Sequence, residues 1–246
     1  MMEDSLVYMK GISKSFGAIK ALTKVDFNVK RQEVVGLVGD NGAGKSTLIK
    51  ILSGVIPPDE GEIYIEGKKV KINSPQDARA FGIETVYQDL ALVEEMSVWR
   101  NLFLNREITK RIGPFNFLKE KDMKRMADEI IKSFGIKLKN VNEPIKSLSG
   151  GERQAVAVSR TFYFGAKLLI LDEPTAALSI KEAEKVLKSI SIAKERGLSV
   201  IFITHNIYHV YPVADRFVVL NKGKKIADVP KSSTSIEELY ELIKAE

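Results

Sequence analysis

The chain has 246 residues, 44% of them hydrophobic and 28% charged, and 38 Lys and Arg against 32 Asp and Glu leave a formal net charge of +6. That length suits one domain with subdomains, and the apolar content supports a packed core. With no Cys and only two His, a disulfide framework and a Cys-based metal site are excluded and a zinc site has little to stand on.

The N-terminus, Met1-Met2-Glu3-Asp4, is acidic and lacks an apolar stretch, so no secretory signal is expected. Apolar runs are far shorter than the roughly 20 residues of a membrane span. The lysines are scattered, as in Lys68-Lys69-Lys71 and Lys222-Lys224-Lys225, with no arginine-rich stripe carrying interleaved aromatics. The basic balance therefore reads as a solvated surface, and nucleic acid is not an expected partner.

Residues 5–36 alternate apolar and polar positions, as in Val25-Asp26-Phe27-Asn28-Val29, and residues 62–70 read as a hairpin. Together they predict an antiparallel sheet. Glu33-Val34-Val35-Gly36-Leu37-Val38 reads as a buried strand and residues 47–52 as a helix. Between them, Gly39-Asp40-Asn41-Gly42-Ala43-Gly44-Lys45-Ser46-Thr47 matches G-x-x-x-x-G-K-[ST]. The bland alternative is a Gly-rich turn capping an ordinary helix. A strand feeding such a turn and then a helix is, however, the context of a phosphate cradle. Gly42 and Gly44 let backbone N–H groups face inward, and the helix terminus adds partial positive charge. Lys45 is expected to reach the β and γ phosphates and Ser46 to ligate Mg²⁺.

Residues 89–160 read as helix-rich. Ser97 opens a helix over 98–104, and Met123, Met126, Ile130 and Phe134 fall at helical spacing as a core stripe. Gly113-Pro114-Phe115-Asn116-Phe117 reads as a loop. Leu148-Ser149-Gly150-Gly151-Glu152 leads into another helix with Ser149 as a plausible N-cap; its paired glycines can offer N–H groups to an anion, or simply cap a helix.

Leu168-Leu169-Ile170-Leu171 is an apolar run expected to form a parallel strand buried on both faces. Asp172 then falls at the strand's C-terminal edge, where open α/β sheets bind ligands, beside the cradle, and is placed to hold Mg²⁺ through water. Glu173 is placed to polarise a water attacking the γ-phosphate, and Pro174 ends the strand. Two solvated acids at a strand end are the alternative. Strands and helices alternate from residue 166 onward, as an α/β fold requires. They include the apolar strand 200–203, and Ser235-Ile236-Glu237-Glu238 reads as a capping box before an amphipathic helix.

The ordered set of cradle, Leu148–Glu152 and Leu168–Glu173 resembles the ATP-binding cassette (ABC) ATPases across nearly the whole chain. The resemblance implies an α/β fold with a RecA-like P-loop core and an antiparallel β subdomain, roughly 1–88 and 161–246, and a helical subdomain over about 89–160. It implies ATP and Mg²⁺ as ligands, with Gly39, Asn41, Gly42, Ala43, Gly44, Lys45, Ser46 and Thr47 at the phosphates. Phe16 matches the aromatic that stacks on adenine, a task needing only a ring face. Gln88 matches the glutamine that senses Mg²⁺ and the attacking water, and His205 the switch histidine that contacts the γ-phosphate. Ser149, Gly150, Gly151 and Glu152 match the signature motif, which completes the ATP site of a second copy in a head-to-tail dimer. Two positions depart from the pattern. Glu152 stands where Gln is commoner. Ser179 stands where Asp usually couples the two sites; it can hydrogen-bond but not carry charge.

Residues 82–93 and 174–179 resemble the ribose, xylose and fructose importers in a single-cassette form. This implies a homodimer on the cytoplasmic face of a membrane, seated on permease chains and fed by a separate sugar-binding protein. Trp99 and its neighbours are the expected permease contact, by helix-in-groove docking. The rival readings are a soluble ABC ATPase acting on nucleic acid or ribosomes and an ATPase of a non-sugar transporter. The first lacks its usual coiled coils, zinc-binding cysteines or second cassette. Glu173 argues against a non-hydrolysing switch.

Overall fold

The computed structural model describes residues 5–244, except 88, 137 and 177. The chain starts with strands β1 (Ser5–Phe16), β2 (Ile19–Lys30) and β3 (Val34–Val38), followed by helix α1 (Lys45–Leu52), strands β4 (Glu60–Ile65) and β5 (Lys68–Val70), α2 (Pro75–Ala80) and β6 (Ile83–Val86). A middle segment holds α3 (Val98–Phe103), β7 (Thr109–Ile112), β8 (Phe115–Leu118), α4 (Glu120–Ser133) and α5 (Gly150–Tyr163). The last part runs β9 (Leu168–Asp172), α6 (Ile180–Glu195), β10 (Ser199–Thr204), α7 (Ile207–Val210), β11 (Arg216–Asn221), β12 (Lys224–Pro230) and α8 (Ile236–Lys244).

Two sheets carry the molecule. The alternating N-terminal strands form an antiparallel sheet in the order β2-β1-β4-β5. The apolar runs form the second sheet, β12-β11-β3-β10-β9-β6, parallel throughout except for β12. Every residue of β3 and β10 is buried, as are Leu168 to Leu171 of β9. Such unbroken apolar strands are stable only with both faces covered. Val35, Leu37, Ile170, Ile201 and Ile203 pack with the antiparallel sheet and α1. Val34, Val38, Leu169, Leu171 and Phe202 pack on the opposite side with the helices. Alternation along each strand thus builds two cores from one sheet.

On α4 the expected stripe is present: Met123, Ile130 and Phe134 are buried and Met126 partly so. Asn101 of α3 is wholly buried, and its amide is satisfied by Val93 N–H and by the carbonyls of Val93, Met96 and Ser97. That pins the turn preceding α3.

Two expectations are corrected. Trp99 is not a surface side chain. It is 4% exposed and belongs to the core shared by α3, α4 and α5. Arg100 and Lys124 cover its ring, their cationic groups 5.2 and 5.4 Å from the centroid. All of α3 but Arg100 is buried, and the Trp is drawn in with it because burying its large apolar area outweighs any gain from display. The segment 113–117 is not a plain loop either. β7 and β8 pair with Ile112 opposite Phe115 and Lys110 opposite Phe117, turning at Gly113-Pro114. Four-residue strands around a two-residue turn give little periodicity to detect. No helix among the described residues is long and apolar enough to cross a membrane.

Candidate nucleotide site

β3 is central, and the chain must reverse sharply at its end to start α1. Gly44 does this with φ +103°, and a Cβ there would sit 2.7 Å from the carbonyl of Ala21. The first helical bond, Leu48 N–H to Gly44 carbonyl at 2.9 Å, follows at once. The Lys45 ammonium folds back over the loop and donates to the carbonyls of Gly39 (2.8 Å) and Asp40 (2.9 Å). Burial pushes its pKa down, opposed by the charges of Glu173, Asp40 and Asp172.

The loop bounds a cavity of about 500 Å³ whose walls include Asn41 to Thr47, Asp172, Glu173 and, from β2, Ile19, Lys20 and Ala21. The two acids arrive from β9, one strand beyond β10, because the carboxyl ends of the parallel strands all open on this edge. Burial, and then the neighbouring Glu173 charge, pushes the Asp172 carboxyl up, with Lys45 and Lys50 pulling the other way. A carboxylate penalised by burial and the Ser46 hydroxyl, both lining this cavity, are a fitting partial set for Mg²⁺. That ion takes one or two protein oxygens and fills its other positions with water and phosphate. Among the described residues no cluster of three or more acids, His or Cys could hold a metal alone.

Glu173 adopts φ +49°, an uncommon backbone state outside glycine. Its carboxylate is held at both oxygens. Oε1 accepts from His205 N–H at 3.1 Å and lies 2.7 Å from His205 Nδ1; Oε2 accepts from the Thr204 hydroxyl at 2.9 Å. Thr204 was not singled out in the sequence, since nothing marks which strand-end hydroxyl will meet an acid on the next strand. The link between the Thr175 hydroxyl and His209 Nδ1, 2.8 Å, was equally hidden.

Phe16 ends β1, half exposed, directly opposite Ile19 of the cavity wall. Its ring lies outside the wall itself and is covered by the Lys14 ammonium at 5.8 Å. Gly39 serves the cradle through its carbonyl, the acceptor for Lys45. Gln88 lies outside the described residues.

The signature segment stands apart from this cavity. Ser149 and Glu152 form a capping box: Ser149 N–H donates to Glu152 Oε2 (3.0 Å) and Glu152 N–H to Ser149 Oγ (3.4 Å). Lys185 of α6 binds Glu152 Oε1 at 3.1 Å. Burial raises the Glu152 pKa, but these bonds outweigh it and leave the carboxyl below its ordinary value. Gly150, with Gln154 and Glu173, lines a separate cavity of about 270 Å³. A Cβ on Gly151 would stand 2.8 Å from the carbonyl of Glu182, so α6 approaches too closely for any side chain.

A Gly-rich cradle between a buried parallel strand and a helix, with a neighbouring strand ending in two acids, defines a P-loop nucleotide hydrolase. The chain belongs to the ABC transporter family, whose model matches residues 22–176. The xylose/arabinose import ATP-binding protein of Sulfolobus acidocaldarius is 50% identical, the match spanning 97% of this chain and 93% of that protein. The fructose import ATP-binding protein of Rhizobium meliloti is 43% identical over 95% and 92%. A ribose import ATP-binding protein of Caldanaerobacter subterraneus is 39% identical over 98% of this chain but only 48% of its own length. Among solved structures, the ADP conformation of the cassette MJ1267 superposes with a TM-score of 0.81 at 25% identity, covering 98% of this chain and 95% of that one. A dimeric post-hydrolysis state of the cassette MJ0796, bound to ADP and Pi, gives 0.74 at 26% identity over 92% and 98%. Like them, this chain is an ATP-binding cassette ATPase.

Proposed function

We propose that this chain powers a membrane importer of a monosaccharide by hydrolysing ATP in a head-to-tail dimer. The observation that carries the dimer is the separation just described. The cradle, Asp172 and Glu173 share one cavity, while the signature glycines lie outside it and have no phosphate to meet within their own chain. A second copy turned head to tail would present its Ser149 and Gly151 to the open side of that cavity. Sugar as the solute rests on the names of the relatives, which are xylose/arabinose, fructose and ribose import proteins.

The residues divide the work. Backbone N–H groups from Gly42 to Ser46 bind the phosphates, and Lys45 exchanges its loop carbonyls for phosphate oxygens. Ser46 and Asp172 would hold Mg²⁺, which supplies charge neutralisation of the β and γ oxygens. Glu173 accepts hydrogen bonds on both oxygens from Thr204 and His205, which aims the carboxylate. An incoming γ-phosphate competes for the His205 ring and leaves Glu173 Oε1 with only the His205 backbone N–H, so that this oxygen can also accept from water. Gln88 would sense the same water and hinge the helical region, and Phe16 or the adjacent Ile19 would meet the base.

The partners proposed are a second copy, an integral permease that places the dimer on the cytoplasmic membrane face, and, indirectly, a sugar-binding protein. Glu173→Gln should bind ATP, lose turnover and elute as an ATP-dependent dimer on size exclusion. Turnover at the parent rate would sink the assignment of Glu173. For the solute, tagged chain is recovered with its membrane partners and the associated binding protein is screened against monosaccharides. Binding of a non-sugar ligand alone would overturn the sugar reading.

A further inference from the structure

The first turn of α6 lies across the N-terminus of α5, and one carboxylate sits at the junction. Glu182 accepts from the Ser179 N–H at 3.1 Å and from the Ser179 hydroxyl at 2.8 Å. Its other oxygen, Oε1, stands 3.4 Å from where a Cβ on Gly150 would sit, at the start of α5. Hydrogen bonding, from Ser179 first and from the Gly151 and Gly150 backbone after it, holds the carboxyl below the ordinary carboxylate range against the opposing effect of burial. The backbone of Glu182 is itself packed on Gly151, which only a glycine permits. Ser149 N–H is meanwhile taken by Glu152. The start of α5 is therefore already lined by acids of its own chain, Glu152 at Ser149 N–H and Glu182 beside Gly150, while Glu152 N–H is taken by the Ser149 hydroxyl.

We propose that Glu182 is a positioning residue that acts as an internal stand-in for the γ-phosphate at the signature helix. In the single chain it offsets the partial positive charge of the Gly150 and Gly151 N–H groups. For a partner's ATP to use those groups, the carboxylate must give them up and keep only Ser179. This reading rests on the head-to-tail ATP site proposed above. It also gives Ser179 a task at the position where the family usually carries Asp: with both its N–H and its hydroxyl, Ser179 holds the displaced charge. A carboxylate left within reach of a phosphate repels it, so Glu182 opposes closure until ATP outcompetes it.

The test uses the full chain carrying Glu173→Gln, in which hydrolysis does not interfere, with and without Glu182→Gln. The amide keeps the size of the side chain and one acceptor for Ser179 but removes the charge; equal melting temperatures check that the fold is kept. Dimer formation is followed by analytical ultracentrifugation against MgATP, and single-chain ATP binding by a fluorescent analogue at low protein concentration. The expected result is a dimer tighter by roughly three- to tenfold in Glu182→Gln, the scale of one charge at a helix terminus. Single-chain ATP affinity stays unchanged, and the gain narrows as salt rises. An unchanged or weaker dimer, or a gain indifferent to salt, overturns the proposal. If the Glu173→Gln parent forms no ATP-dependent dimer at all, the head-to-tail reading fails instead, so the two failures are distinguishable.

Discussion

Glu173 Oε1 and His205 Nδ1 lie 2.7 Å apart, joining the last acid after β9 to the residue after β10. A second contact from the His205 backbone and a third from Thr204 fix the same carboxylate. The acid that would direct water is thus oriented before any nucleotide arrives.

That arrangement separates two substitutions. Thr204→Val removes the hydroxyl on Oε2, and also the acceptor for Asn206 N–H at 3.0 Å, without touching the phosphate cradle. Turnover should fall by about tenfold or more, the scale on which misaimed general bases lose rate, while KM for ATP changes little. His205→Ala removes a group proposed to face both the acid and the γ-phosphate and should cost about a hundredfold in kcat. Steady-state kinetics on both variants checks the ordering.

Asp172 offers a test of function held against stability. Its pKa is raised, chiefly by burial, so the fold favours the neutral acid. The stability linked to this group is complete below the ordinary carboxylate pKa and is lost as pH rises through the raised one. In metal-free buffer near pH 7, Asp172→Asn should therefore melt higher than the parent, by about 2 °C for a chain of this size. The difference should fade as the pH is lowered and the parent's Asp172 takes up its proton, and the variant should have no MgATP turnover. A scanning melt in EDTA at several pH values decides it.

The signature glycines carry a structural task as well as the proposed one. Gly151→Ala puts a Cβ 2.8 Å from the Glu182 carbonyl and 3.0 Å from its Cα, both backbone atoms of a packed helix. α5 and α6 must separate, at a cost of about 1–3 kcal/mol, typical of overpacking. Urea unfolding of the single chain, with no nucleotide present, should show the loss. Unchanged stability would mean that the glycines answer to ATP alone.

What the residue pattern made legible was whatever is local. β3, the cradle and α1 are contiguous, and the Gly spacing and flanking apolar runs specify them together. The N-cap at Ser149 and the capping box at Ser235 likewise lie within four residues. What stayed hidden depends on which elements meet. Thr204 reaches Glu173 only because β9 and β10 are neighbours in register. Glu182 reaches Gly150 and Gly151 only because α6 crosses the start of α5. The paired glycines looked free to serve an anion, and the structure adds a steric reason for the second of them. Trp99 was misplaced because a lone Trp in a short helix carries no mark of which side it faces, and packing among α3, α4 and α5 decided it.

That burial changes where a membrane partner should be sought. Trp99→Ala should destabilise the chain by about 3–5 kcal/mol, as loss of a buried Trp does, and any loss of partner binding would then follow from unfolding. The β7–β8 hairpin is the better target. Ile112, Phe115 and Phe117 are 55%, 66% and 52% exposed, and cross-strand pairing puts all three on one face beside Lys110. A two-stranded hairpin is marginal alone, so an exposed apolar face on one marks a surface to be covered. Phe115→Ser with Phe117→Ser should leave melting and the ATPase rate of the isolated chain within error, because neither ring enters the core. The same pair should reduce co-purification with the proposed permease several-fold. Undiminished recovery from solubilised membranes would remove the hairpin from the interface.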